Sequence, residues 1–311
     1  MTEPREAAGE SPAYIDRFIS AQDAVRIHVR DYAPDNAAGP PVVCLPGLTR
    51  SVRDFHDLAL TLSRHPEKPR RVVSVDYRGR GQSDYDSDWR NYNVITEAQD
   101  ILAVLAALDI EHAAFVGTSR GGILIMLIAA LRPGAIACAI LNDVGPVIDV
   151  QGLLRIKRML AELTAPATWE EAAANSKRYG AVAFPDFTDM DWEKMARQTY
   201  RDTNGRPAID FDQTLAKTLD DFDADTPAPD LWPQFLALRD MPTLVIRGDL
   251  SGILSAETLA EMQARHQRLD IHVVENEGHA PTLWDMPTQQ RIAGFIDRSE
   301  TEPRPEPASA G

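Results

Sequence analysis

Of everything in the chain, the stretch Gly117-Thr118-Ser119-Arg120-Gly121-Gly122 leaves the backbone the least freedom. An apolar run, residues 113–116, leads into it, and a second, residues 123–131, leads out, so a buried strand passes directly into a helix. A turn that abrupt forces its central residue into a sparsely populated conformation and presses the flanking residues onto neighbouring backbone. Gly117 and Gly121 therefore stand where side chains would collide, and Ser119 stands at the apex with its hydroxyl above the sheet. The N–H groups that open the following helix face the same point and can hold negative charge there.

The rest of the chain repeats that strand and helix alternation on either side of one interruption. Residues 42–45, 71–76, 137–141, 242–247 and 271–274 are short apolar runs of the kind buried on both faces of a mostly parallel sheet. Residues 95–108 carry Ile101, Leu102, Leu105 and Leu108 at helical spacing. Residues 14–20 and 25–32 alternate apolar with polar side chains about Gln22-Asp23, which predicts an antiparallel edge hairpin. From 147 to 240 the alternation stops, and helices alone are expected, at 153–163, 169–179, 190–201 and 212–222, with breaks such as Asn204-Gly205-Arg206-Pro207 between them. Met159, Trp169, Phe184, Phe187, Trp192 and Trp232 either line an apolar pocket facing Ser119 or form the interruption's own core.

Three loops follow the strands. They are Pro46-Gly47-Leu48-Thr49-Arg50-Ser51, Asp76-Tyr77-Arg78-Gly79-Arg80-Gly81-Gln82-Ser83-Asp84 and Glu275-Asn276-Glu277-Gly278-His279-Ala280-Pro281. With the G-x-S-x-G turn, the D-x-R-G-x-G-x-S run and the Gly-His after the last apolar strand, the chain resembles the α/β-hydrolase superfamily in its serine branch, over residues 14–298. The resemblance implies a mostly parallel, twisted, eight-stranded sheet flanked by helices, with an inserted all-helical cap. Residues 13–146 and 241–298 would form the core and 147–240 the cap, leaving 1–12 and 299–311 as disordered ends.

By the same resemblance Ser119 is a nucleophile that forms an acyl-enzyme, which argues against epoxide hydrolases and haloalkane dehalogenases, where aspartate stands at the turn. His279 is the general base, suited by an ordinary imidazole pKa of about 6.5. The backbone N–H groups of Leu48 and Arg120 form the oxyanion hole, and Pro46 replaces the family's usual histidine without touching that backbone. The third residue departs from the pattern. Relatives read G-x-x-S-D-I-L-S where this chain reads Gly248-Asp249-Leu250-Ser251-Gly252-Ile253-Leu254-Ser255, so Gly252 occupies the usual position of the acid. Asp143, at the end of the preceding strand, is the preferred acid; Asp249 is the alternative, and a Ser-His pair without an acid is the third case.

Composition narrows the remaining choices. Asp and Glu number 47 against 32 Lys and Arg, a formal charge of −15 that repels nucleic acid and anionic membrane surfaces. Cys44 and Cys138 each lie in an apolar run, as reduced core thiols do. Residues 1–12 lack the apolar stretch of a signal peptide, and a cytoplasmic protein is expected. His28, His56, His65, His112, His266 and His272 show no metal-ligand spacing, and neither metal nor cofactor is expected. The expected activity is hydrolysis of a carboxylic ester or lactone of a small, fairly apolar molecule. An amidase, a carbon–carbon bond hydrolase and a non-catalytic ligand-binding protein are the alternatives; the fold leaves the substrate-binding residues and oligomeric state open.

Overall fold

The computed structural model describes residues 13–227 and 229–301. Eight strands form one sheet: β1 (Ile15–Ser20), β2 (Arg26–Tyr32), β3 (Val42–Leu45), β4 (Val72–Val75), β5 (Ala113–Thr118), β6 (Ile136–Asn142) and two more from the last third of the chain. Those two are Thr243–Gly248 and Leu269–Val274, numbered β9 and β10 after a small hairpin described below. The spatial order is β1-β2-β4-β3-β5-β6-β9-β10. Only β2 runs against its neighbours, pairing antiparallel with β1 and with β4, so the expected edge hairpin is present. The other pairs are parallel.

The continuous apolar runs have a direct physical meaning here. In β3, Val43 and Leu45 join one core, while Val42 and Cys44 join another across the sheet; in β5, Phe115 and Val116 divide in the same way. The first core is covered by α2 (Val94–Ala107) and α3 (Arg120–Leu131), and the second by α1 (His56–Ser63) and α9 (Met286–Thr301). A strand with a helix on each face has no side left for water, so period-two polarity vanishes from its sequence. Cys44 and Cys138 are buried and free, and burial pushes both thiols up, Cys138 to about 12.

Between β6 and β9 the chain builds α4 (Val150–Glu162), α5 (Trp169–Gly180), α6 (Asp189–Thr199) and the short α7 (Trp232–Leu236). The expectation of helices alone is corrected: β7 (Tyr200–Thr203) and β8 (Arg206–Ile209) form an antiparallel hairpin of their own. Its turn is Asn204-Gly205, with φ of 54° and 82°, the pair of left-handed residues that a two-residue hairpin turn requires. The helix expected at 212–222 is instead the 3-10 segment Gln213–Leu219. The expected disorder of residues 299–311 is corrected at its start. Ser299, Glu300 and Thr301 complete α9, where Glu300 pairs with Arg70 and Lys68. Residues 1–12 and 302–311 lie outside the described residues. The helix α8 (Ala256–Arg265) joins β9 to β10.

Candidate active site

The turn after β5 has the geometry its glycines impose. Ser119 adopts φ 52° and ψ −110°, outside the regions that L-residues favour, and its N–H donates to the Asn142 carbonyl at 2.9 Å. A Cβ on Gly121 would lie 2.0 Å from the Leu45 carbonyl oxygen, and one on Gly117 would lie 2.4 Å from the Gly121 backbone. Any side chain at either position would push α3 away from the sheet and flatten the turn.

Ser119, His279 and Asp143 meet above the sheet. The His279 Nδ1–H donates to Asp143 Oδ2 at 2.8 Å, which leaves Nε2 to accept from the Ser119 hydroxyl at 2.9 Å. A carboxylate can only accept, so Asp143 selects the tautomer that exposes a lone pair to Ser119. Asp143 is fully buried with φ 58°, a left-handed conformation that aspartate tolerates better than most residues. Its Oδ1 accepts the Gly248 N–H at 3.1 Å, and its Oδ2 also accepts the Ser251 hydroxyl at 2.6 Å. The Ser251 oxygen in turn accepts the N–H groups of Ile253 and Leu254, at 3.2 and 3.1 Å, which commits its hydrogen to Asp143.

The loop after β9 is therefore a cradle of donors for the Asp143 carboxylate, which directly follows β6. Asp249 is exposed, its N–H bound to the Val274 carbonyl at 3.0 Å, and it does not meet His279. Gly252 faces α4, and its carbonyl accepts from Arg155 Nη2 at 2.8 Å. A Cβ there would lie 2.1 Å from the same nitrogen, at the flexible end of Arg155. Gly252→Asp would thus place a carboxylate against Arg155 rather than His279, and kcat is expected to stay at the wild-type level. A rise in kcat that survives Asp143→Asn would show that residue 252 can reach the histidine.

Leu48 and Arg120 flank Ser119. Arg120 is the first residue of α3, and helix geometry leaves its N–H without a carbonyl partner. The Gly47 carbonyl is turned toward the Arg50 N–H, at 3.2 Å, which directs the Leu48 N–H of the same peptide the opposite way. Leu48 lines a cavity of about 290 Å³ together with Ser119 and His279, and Arg120 directly follows Ser119 in the chain. Met159, Phe184 and Trp192 reach it from the insertion. The other three expected residues do not. Trp169 packs with Ala172 and Tyr200 inside the insertion, Trp232 packs on the main core, and Phe187 stacks between Phe184 and Trp284. The cavity surface is mainly apolar, and its polar groups include Arg50, whose guanidinium is held by both oxygens of Asp54 at 2.8 and 2.7 Å.

Two contributors carry no motif. Asn142 donates to Thr118 Oγ1 at 3.0 Å and to the Pro281 carbonyl at 2.8 Å, tying the serine turn to the histidine loop. Ser251 sits in a loop read for its missing aspartate, and its hydroxyl is informative only once Asp143 is in place. Among the described residues no group of three His, Cys, Asp or Glu side chains could hold a metal ion.

Comparison with known proteins agrees with this architecture. The model of the "Alpha/beta hydrolase family" matches residues 42–292. The chain belongs to that family. This hydrolase is similar to the 3-hydroxybutyrate-oligomer hydrolase of Cupriavidus necator, with 34% identity over 82% of this chain and 88% of the relative. It is 26% identical to the 2-(acetamidomethylene)succinate hydrolase of Mesorhizobium japonicum, over 91% and 96% of the two chains. Among solved structures, an alpha/beta hydrolase from Novosphingobium aromaticivorans superposes with a TM-score of 0.85 at 39% identity, covering 93% of this hydrolase and 99% of that chain. No helix among the described residues is long and apolar enough to cross a membrane.

Proposed function

We propose that this hydrolase cleaves a carboxylic ester through an acyl-enzyme on Ser119. The observation that carries the reading is the pair of hydrogen bonds, 2.9 and 2.8 Å, that link Ser119 to His279 and His279 to Asp143 at the floor of an apolar cavity. Ser119 Oγ attacks the substrate carbonyl as His279 Nε2 takes its proton, and the imidazolium forms against the Asp143 carboxylate. Charge gathers on the carbonyl oxygen, where the Leu48 and Arg120 N–H groups receive it. His279 then protonates the departing alcohol, and a water activated by the same nitrogen releases the acid. Residues 147–240 act as a cap, supported by the insertion side chains that line the cavity with Ser119. The complete hydrogen-bond set around Asp143 favours catalysis over ligand binding alone.

The substrate class that fits best is a short ester of a hydroxy acid. It is supported by the likeness to the 3-hydroxybutyrate-oligomer hydrolase of Cupriavidus necator. A lactone presents the same carbonyl. Two buried, free thiols support a reducing compartment, hence the cytoplasm.

A panel of p-nitrophenyl esters of graded chain length, with lactones, anilides and the linear dimer of 3-hydroxybutyrate, tests the proposal. Short acyl esters and the dimer are expected to turn over well and anilides poorly; anilides faster than esters would make the enzyme an amidase. A fluorophosphonate probe is expected to add its mass at Ser119, and a folded protein that takes no label would favour the ligand-binding reading.

A further inference from the structure

Four side chains of the D-x-R-G loop and its neighbours, Tyr77, Arg80, Glu97 and Arg120, take no part in the chemistry above, yet the first three are buried and the last is mostly so. Glu97, on α2, and Arg80 are both fully buried. Arg120 Nε donates to Glu97 Oε2 at 2.7 Å, while Arg80 Nη1 stands 2.9 Å from Glu97 Oε1. Arg80 reaches on toward the other side of the site, its Nε donating to the Leu48 carbonyl at 2.9 Å. Tyr77 donates from its hydroxyl to the Pro46 carbonyl at 2.9 Å. The peptides on both sides of the one that carries the Leu48 N–H are thus held by groups of the loop after β4.

We propose that Glu97 and Arg80 are positioning residues that fix the separation of the two oxyanion donors, through one buried carboxylate that touches both arms. This rests on the acyl-enzyme reading. One arm runs from Glu97 to the Arg120 side chain, whose own N–H opens α3 beside Ser119. The other runs from Glu97 through Arg80 to Leu48. Without the bridge, each donor would be placed only by its own loop, and the two loops follow different strands, β3 and β5.

Energetics favour a geometric role. Burying three charges costs desolvation that their attraction only partly offsets, so such a bridge is a poor source of stability. Glu97 Oε1 meets Arg80 as an ion pair without an aligned hydrogen bond, and the two arginines are fixed by other contacts. Arg80 also donates from Nη1 to the Arg78 carbonyl at 2.7 Å, and Arg120 donates from Nη2 to the Tyr92 carbonyl at 3.2 Å. Tyr77 and Tyr92 rings lie 5.6 and 5.4 Å from the Arg80 guanidinium carbon. Although burial pushes it up, Arg120 and Arg80 hold the Glu97 carboxyl below its usual range.

The test uses Glu97→Gln and Arg80→Lys in the full chain. The lysine keeps a charge for Glu97 but lacks the Nε–H that meets Leu48, and it remains informative if the glutamine variant fails to fold. Both kcat on the best ester and the affinity of an aryl trifluoromethyl ketone are measured. Ser119 Oγ adds to that ketone's carbonyl carbon, its proton passes to His279, and the resulting hemiketal oxygen carries the negative charge that the donors receive. Expected in each folded variant is a fall in kcat on the order of 10-fold to 10²-fold, the scale of a misplaced donor, with KM within about 2-fold of wild type. Ketone affinity should fall by the same factor as kcat. A lowered melting temperature with kcat and ketone affinity unchanged would make the bridge merely structural and overturn the proposal, as would a rise in KM alone. If the wild type neither hydrolyses esters nor binds the ketone, the acyl-enzyme reading fails and takes this inference with it. If the wild type does both and the variants match it, the bridge alone fails.

Discussion

Asp143→Asn is expected to lower kcat by about 10⁴ while the protein folds, and Asp249→Asn to leave kcat at the wild-type level. The size of the effect follows from the donors around residue 143. Oδ1 faces the Gly248 N–H, and Oδ2 faces both the Ser251 hydroxyl and the His279 Nδ1–H. An asparagine replaces one acceptor with an amide donor, so in either orientation a donor meets a donor. With the amide nitrogen toward His279, the imidazole is driven to the tautomer that carries its proton on Nε2, where it can no longer accept from Ser119. Steady-state kinetics on one ester, with thermal melts to show that both variants fold, gives the ranking. The reverse ranking would move the acid to Asp249, and no loss in either variant would mean that Ser119 and His279 work as a pair.

Ser119→Ala is expected to cost on the order of 10⁶ in kcat and to abolish the fluorophosphonate adduct. The remaining rate over water would come from the donors at Leu48 and Arg120 and from substrate binding. Ester affinity, measured by titration calorimetry on the inactive variant, should stay near the wild-type KM, because alanine removes a reacting atom and leaves the cavity walls in place. Equal turnover in wild type and variant would remove Ser119 from the chemistry altogether.

Much of the architecture was legible in the sequence because it rests on local rules. Runs such as Val42–Leu45 declare strands covered on both faces, and the glycines about Ser119 declare a turn without room for side chains. Gly252 was legible as a departure, although its reason was not: the loop's function as a donor cradle depends on Asp143, more than a hundred residues away in the chain. The hairpin at 200–209 was missed although Asn204-Gly205 is a strong hairpin signal, because its flanking segments, Tyr-Arg-Asp-Thr and Arg-Pro-Ala-Ile, lack clear alternation. Glu97 reads along α2 as one more polar side chain. Nothing near it in the sequence says that two arginines, 17 residues before it and 23 after, will converge on it in the core.

The close approach of Gly121 to the Leu45 carbonyl also divides the cavity by origin. Around Ser119 the backbone is packed so tightly that no side chain can be added at Gly117 or Gly121. Met159, Phe184 and Trp192 in the cavity walls come from a segment outside the large sheet. Evolution, or a directed library, can therefore retailor the walls for a new acyl group while the reaction machinery stays untouched, so that substrate range and chemical competence are inherited as separable traits.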